Sequence, residues 1–232
     1  MAYIGNKPAN KAIVASDLDP AVITGQTALA VAPADTDEFL ISDAGVLKRL
    51  DASLVGSQDY VKLSSTTPSA ANTFSIDGFF TSDYDIYKIY VIGVSGSSMS
   101  NTRVSMRVNV SGTAQTGSNY YHHTNIASGN SVNGNWSNGS GGTDSDIGYA
   151  HNSSGSTAQG QFELTIFRPL ATDKTAILND GIAADNGSTW GRYSGFTVWN
   201  VATAISGITL GCGDFGSGNL EADRILVYGL KV

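Results

Sequence analysis

Charge is scarce in this chain: Asp, Glu, Lys and Arg together make up 14% of it, whereas Gly alone supplies 27 of the 232 residues. Long helices need charged outer faces and tolerate Gly poorly, so an all-α fold is disfavoured. Cysteine is nearly absent too. Cys212 is the only one, which excludes an internal disulfide framework and leaves the Asn-X-Ser triplets without a secretory context. There is no basic run, and the formal net charge is -7, so the attraction that drives phosphate-backbone binding is missing and nucleic acid is not an expected partner. No stretch approaches the roughly 18 apolar residues of a membrane span. Lys7 and Lys11 come without the apolar segment of a signal peptide, so the product is expected to be made and kept in soluble form.

The motifs of common chemistry are equally missing. No nucleophile elbow, phosphate-binding Gly-Lys-Ser/Thr loop, dinucleotide fingerprint or Cys-X-X-Cys pair occurs, so the chain is expected not to be an enzyme and to carry no catalytic residue or cofactor. Cys212 ends the apolar run Ile208-Thr209-Leu210 and reads as a small core residue. His122 and His123 are adjacent. On a strand they point to opposite faces and make a poor chelate, so no metal is expected and solvated or subunit-facing histidines are the reading. Asp144 and Asp146 share a face if their segment is extended, but Gly and Ser surround them. An exposed, solvated pair is preferred to a glycosidase dyad, with calcium binding a weaker option.

What is present is a succession of short β-branched and aromatic runs bounded by turn residues. Ile86 to Val94, Val104 to Val110, Phe162 to Phe167, Ala176 to Ala184, Phe196 to Val201, Ile208 to Cys212 and Arg224 to Leu230 are the clearest strands. Ile86, Lys88, Tyr90 and Ile92 fall on one face and Tyr87, Ile89 and Val91 on the other. Val104, Met106, Val108 and Val110 oppose Arg103, Ser105, Arg107 and Asn109, which reads as one wet face. With no crossover helices between them, these strands predict an all-β fold: a jelly-roll-like antiparallel β-sandwich over residues 61–232. The Asn-, Gly- and Ser-rich stretch from Thr124 to Gly160 reads as a long polar loop unable to anchor a core. Its Trp136, Asp144, Asp146, Tyr149 and His151 are the candidate contact residues, for a neighbouring subunit by preference or for a glycan ring stacked on Trp136 or Tyr149.

Residues 1–60 offer short apolar groups, few aromatics and the breakers Pro8, Pro20 and Pro33, so an independent core is doubtful and the segment is expected to fold on something else. Asp37 to Leu50 reads as a β-hairpin turning at Asp43 to Gly45, followed by a short helix or turn at Asp51 to Leu54. Identical copies packing round an axis would cover such a hairpin.

The opening Met1-Ala2-Tyr3-Ile4-Gly5-Asn6-Lys7-Pro8, with Asp35 to Asp43 and Leu47-Lys48-Arg49-Leu50, resembles the N-terminal region of tail-fibre proteins of tailed bacteriophages. Tyr84 to Tyr90 beside Arg103 to Val108 is similar, in general style, to the β-sandwich domains that end many virion proteins. The resemblance implies a bacteriophage structural protein: a homotrimer made in the host cytoplasm and carried on the virion, on the tail by preference. Its N-terminal segment would bind other virion proteins and its partners round the axis, through Ile4, Phe39, Leu40, Ile41 and Leu47. Its sandwich would face the bacterial surface and its glycans in receptor binding and host attachment. Capsid decoration is the alternative implied by the same features.

Overall fold

The computed structural model describes Ala21, Gly25, Thr27, residues 33–34, 36–55, 60–98, 103–128, 131–150, 160–184 and 190–230. The chain groups into two compact units, Met1–Ser57 and Gln58–Val232. In the first, β1 (Glu38–Asp43) and β2 (Val46–Asp51) form an antiparallel hairpin. Ala44 and Gly45 have φ of 50° and 79°, the paired left-handed conformation of the tight turn whose twist suits two strands. A 3-10 turn, Ala52–Leu54, follows.

The second unit is an antiparallel β-sandwich. One sheet has the order β4 (Thr73–Asp77), β14 (Gly207–Cys212), β6 (Arg103–Val110), β10 (Ser145–Tyr149), with β7 (Thr113–Ala114) paired to β6. The other runs β3 (Tyr60–Thr66), β16 (Arg224–Leu230), β5 (Ile86–Ser97), β11 (Gly160–Phe167), β12 (Thr175–Ala184), β13 (Trp190–Trp199), β8 (Tyr120–Ser128), β9 (Ser131–Gly142), with β15 (Asn219–Glu221) also on β5. Among the described residues, no helix is long and apolar enough to cross a membrane.

Period-two alternation explains the layers. Tyr87, Ile89 and Val91 of β5 are fully buried while Ile86, Lys88, Tyr90 and Ile92 are half-exposed, the division of faces expected from sequence. Leu164, Ile166, Ile177 and Tyr193 extend this inner face across the larger sheet, and they share one core with Phe74, Ile76, Val104, Met106, Val108, Ile208 and Leu210 of the smaller one. Burying each large side chain contributes about 1.5–3 kcal/mol. Cys212 closes β14 as a buried thiol, and burial raises its pKa. Two phenols tie connecting segments to this core: Tyr87 Oη donates to Thr81 O and accepts from Thr81 N, and Tyr120 Oη donates to Gln115 O and accepts from Val108 N.

Two sequence expectations need correction. Most of the supposed loop from Thr124 to Gly160 is strand, comprising the end of β8, all of β9 and β10, and Ile126, Ile147 and Ala150 within it belong to the core. Low apolar content misled because β9 pairs only with β8, at the sheet edge, where backbone hydrogen bonds suffice to form a strand. The face of β6 expected to be wet is also covered: Ser105 and Asn109 are fully buried.

At Gly195 of β13 there is no room for a side chain beside β8: a Cβ there would stand 2.0 Å from the His123 carbonyl oxygen and 2.7 Å from Thr124 Cα. Gly195→Ala is expected to cost about 1–3 kcal/mol, the usual range for overpacking a close contact. Chemical denaturation of the variant beside the wild type measures it, and an unchanged midpoint would refute the assigned packing.

Candidate functional site

β6 has two arginines four residues apart, which alternation places on its outer face with Ser105 between them. β10 lies alongside, with Asp146 in register opposite Ser105. Arg103 Nη1 pairs with Asp146 Oδ2, while Ser105 Oγ donates 2.8 Å to the other carboxylate oxygen. Arg103 Nη2 also reaches Asp214 Oδ2 at 3.4 Å, and Asp214 N donates to Ser105 Oγ at 2.9 Å. One arginine therefore joins β10 to the short 3-10 turn after β14.

Arg107 repeats the arrangement one step along. Its Nε donates to the Thr143 carbonyl at 3.0 Å, its Nη2 lies 3.5 Å from Asp144 Oδ2, and its guanidinium carbon sits 3.8 Å over the Phe215 ring. Phe215 and Asp214 both have positive φ, 54° and 55°, a conformation that costs non-glycine residues energy and needs side-chain contacts to hold it. The ion pairs and the cation–π contact supply them.

Asp144, Asp146 and Asp214 each bring one carboxylate oxygen within 4.8 Å of the others. Asp144 and Asp146 are buried, against the expectation of a solvated pair. Burial pushes the Asp144 carboxyl up, Asp146 reinforces this, and Arg107 opposes it. With both arginines bonded into the group, its chemistry is that of an ionic latch holding the β9–β10 turn and the segment after β14 on the sheet.

The other sequence-selected residues are dispersed. Tyr149 ends β10, half-buried and edge-on to Tyr193 with ring centroids 5.2 Å apart. Trp136 lies on β9 in register with Thr124, its side chain being outside the described residues. His151 and Ile4 also lie outside them, as does the side chain of Leu47. Phe39 and Leu40 are exposed on the hairpin and Ile41 is half-buried. Sequence reasoning missed Asp214 and Phe215, because 111 residues separate Asp214 from Arg103 and no spacing rule spans that distance. The Arg-X-X-X-Arg pattern on one strand face was the available signal.

His122 and His123 do diverge, but His122 turns inward and is buried, not solvated or subunit-facing. Its Nδ1 has no hydrogen-bond partner among the described residues. Burial holds its pKa below the ordinary value; Asp146 pulls it up, and Arg103 and His123 push it further down. His123 stays at the surface, with Nε2 3.0 Å from Asn125 Oδ1.

Asp146→Asn leaves the partly buried Arg103 without its main counter-charge, and a loss of about 1–3 kcal/mol is expected in urea unfolding, below the full penalty for a deeply buried pair because Arg103 keeps some solvent. A folded-state pKa below the unfolded one means that His122 costs nothing above about pH 6.5 and loses stability as pH falls through that value towards the folded one. Thermal melts at pH 7 and pH 5 should therefore show a drop that shrinks in His122→Gln; equal drops would remove His122 as its source. No protein-family model, curated protein or solved structure matches the chain.

Proposed function

We propose that this chain is a non-enzymatic structural component of a bacteriophage virion, a homotrimeric tail fibre or fibre-like appendage that contributes to host-surface attachment. The observation that carries the reading is the character of the N-terminal unit. Among its described residues none is buried, and its hairpin and the turn after it display Phe39, Leu40, Val46, Leu54 and Val55 to solvent. Its ion pairs, Arg49–Glu38 and Lys48–Asp43, are exposed and add little stability. A two-stranded element of this kind gains its stability from a partner, either other virion proteins or identical copies round an axis. This is also the segment whose sequence resembles the attachment region of tail fibres.

The sandwich is then the outward-facing part, and we read it as a jelly roll with one inserted hairpin. Strand order supports this: β4, β14, β6 and β10 are neighbours in one sheet, while β5, β13, β8 and β9 keep the complementary order in the other once β11–β12 is set aside. For the segment holding Trp136 and Tyr149 a neighbouring subunit is the preferred contact, and surface glycan is the alternative ligand. Linked copies turn individually weak sugar contacts into useful affinity without a deep pocket.

Electron cryomicroscopy of intact particles tests location: density on the tail, in multiples of three, is expected. Density spread over the head would replace the fibre reading with capsid decoration, and absence from particles would end both. The double substitution Phe39→Asp with Leu40→Asp is expected to abolish incorporation, scored by the protein content of purified particles, while circular dichroism of the purified variant keeps its β signal.

A further inference from the structure

The outer face of the nine-stranded sheet is not finished as a solvent surface. Leu178 and Ile182 on β12, and Trp190 and Phe196 on β13, are each between 45% and 48% exposed, and the register sets Leu178 beside Phe196 and Ile182 beside Arg192. In their midst Arg192 grips Asp180 with both arms of its fork, Nε to Oδ1 at 3.1 Å and Nη2 to Oδ2 at 2.6 Å. Both members of this pair are at least half exposed. Scattered apolar residues on a surface are ordinary, but here four on adjacent strands flank one ion pair, Leu178 and Phe196 on one side of it and Ile182 and Trp190 on the other.

The charges indicate what fits there. Along β5, β11, β12 and β13 stand Lys88, Glu163, Asp180 and Arg192, the first two paired with each other as the last two are. With the exposed Arg224 of β16, in register with Ile92 on the same side, these charges sum to +1 on a chain of formal charge -7, so this is a face on which two identical acidic molecules meet with little repulsion. Glu163 and Asp180 are direct cross-strand partners. Like charges so placed are destabilising, and each is held by its own cation, Lys88 for Glu163 and Arg192 for Asp180. The six neighbouring strands β16, β5, β11, β12, β13 and β8, spaced by about 4.8 Å, with four rows of outward side chains span on the order of 600 Å², approaching the roughly 800 Å² per partner of a stable interface.

We propose that a second copy of this chain docks on this face, centred on β12 and β13, with Asp180 and Arg192 of each copy exchanging partners across the contact. Every charge keeps a forked partner in the exchange, and Leu178, Ile182, Trp190 and Phe196 leave water. The contact belongs to the sandwich and holds whether or not the chain is a virion protein.

Complementary charge reversal tests it. Asp180→Arg makes the centre of the patch wholly cationic and Arg192→Asp wholly anionic, so each variant alone should self-associate at least about ten-fold more weakly than wild type, in line with the cost of like charges at a contact. An equimolar mixture should recover association towards the wild-type value, because cationic and anionic patches then meet. A pair acting only within its own chain gives no such recovery. Sedimentation velocity over a concentration series reads all arms on the full-length chain carrying Phe39→Asp and Leu40→Asp, which removes assembly through the N-terminal hairpin. Thermal melts confirm that each variant is folded, and Arg192→Gln, which only neutralises the patch, should fall between wild type and Arg192→Asp. A wild-type face that stays monomeric throughout, or a mixture no stronger than the average of its components, overturns the proposal. So does binding of a neutral oligosaccharide that Leu178→Lys abolishes in the absence of any self-association. Particle incorporation is a separate readout, so failure here and failure of the virion reading are told apart.

Discussion

Successive side chains of a β-strand point to opposite faces, and the second unit depends on that rule throughout. Each central strand commits one face to the shared interior, where Tyr87, Leu164, Ile177 and Tyr193 meet Val104, Met106 and Leu210. What remains is the disposal of the two outer faces, and the sheets solve it differently. The smaller sheet covers its outer face with charge: Arg103 and Arg107 draw in Asp144, Asp146 and Asp214, and Phe215 roofs the second arginine. The larger sheet leaves Leu178, Ile182, Trp190 and Phe196 uncovered. One surface is completed from within the chain, and the other has the composition of a surface completed from outside it.

How much of this was legible in sequence depended on whether the signal was local. Alternation in Ile86 to Ile92 showed which residues share a face, and Asp43-Ala44-Gly45 announced the hairpin turn. Such features are fixed by neighbouring residues alone. Arg224 to Leu230 was read with its correct ends because its apolar run is continuous. β9 was missed for the opposite reason: Ser131–Gly142 is a strand through its pairing with β8, not through its own composition.

The candidate residues divide along the same line. Asp144 and Asp146 were noticed as a pair and expected in solvent, since they stand in a Gly- and Ser-rich stretch. Their burial comes from β6, some 40 residues earlier, with Ser105 lying 41 positions from Asp146. Asp214, arriving from the opposite direction, completes the group. The inward turn of His122 was half legible: adjacency to His123 required one of the two to face inward, but which one depends on register with Thr197.

The pairing of distant segments also sets the order in which this molecule can be built. β14 lies between β4 and β6, and β16 lies between β3 and β5, so two interior positions in the sheets are filled by residues 207–230 although their neighbours are made first. During synthesis β3 to β6 must wait, unpartnered along those edges, while about a hundred intervening residues are added. Loop closure over such distances is slow, and topologies dominated by it fold late. The nascent chain therefore spends its time on the ribosome with its most apolar strands incompletely paired, and its solubility in that interval rests on the acidic charge and polar Gly-, Ser- and Asn-rich connections that gave the sequence its unusual composition.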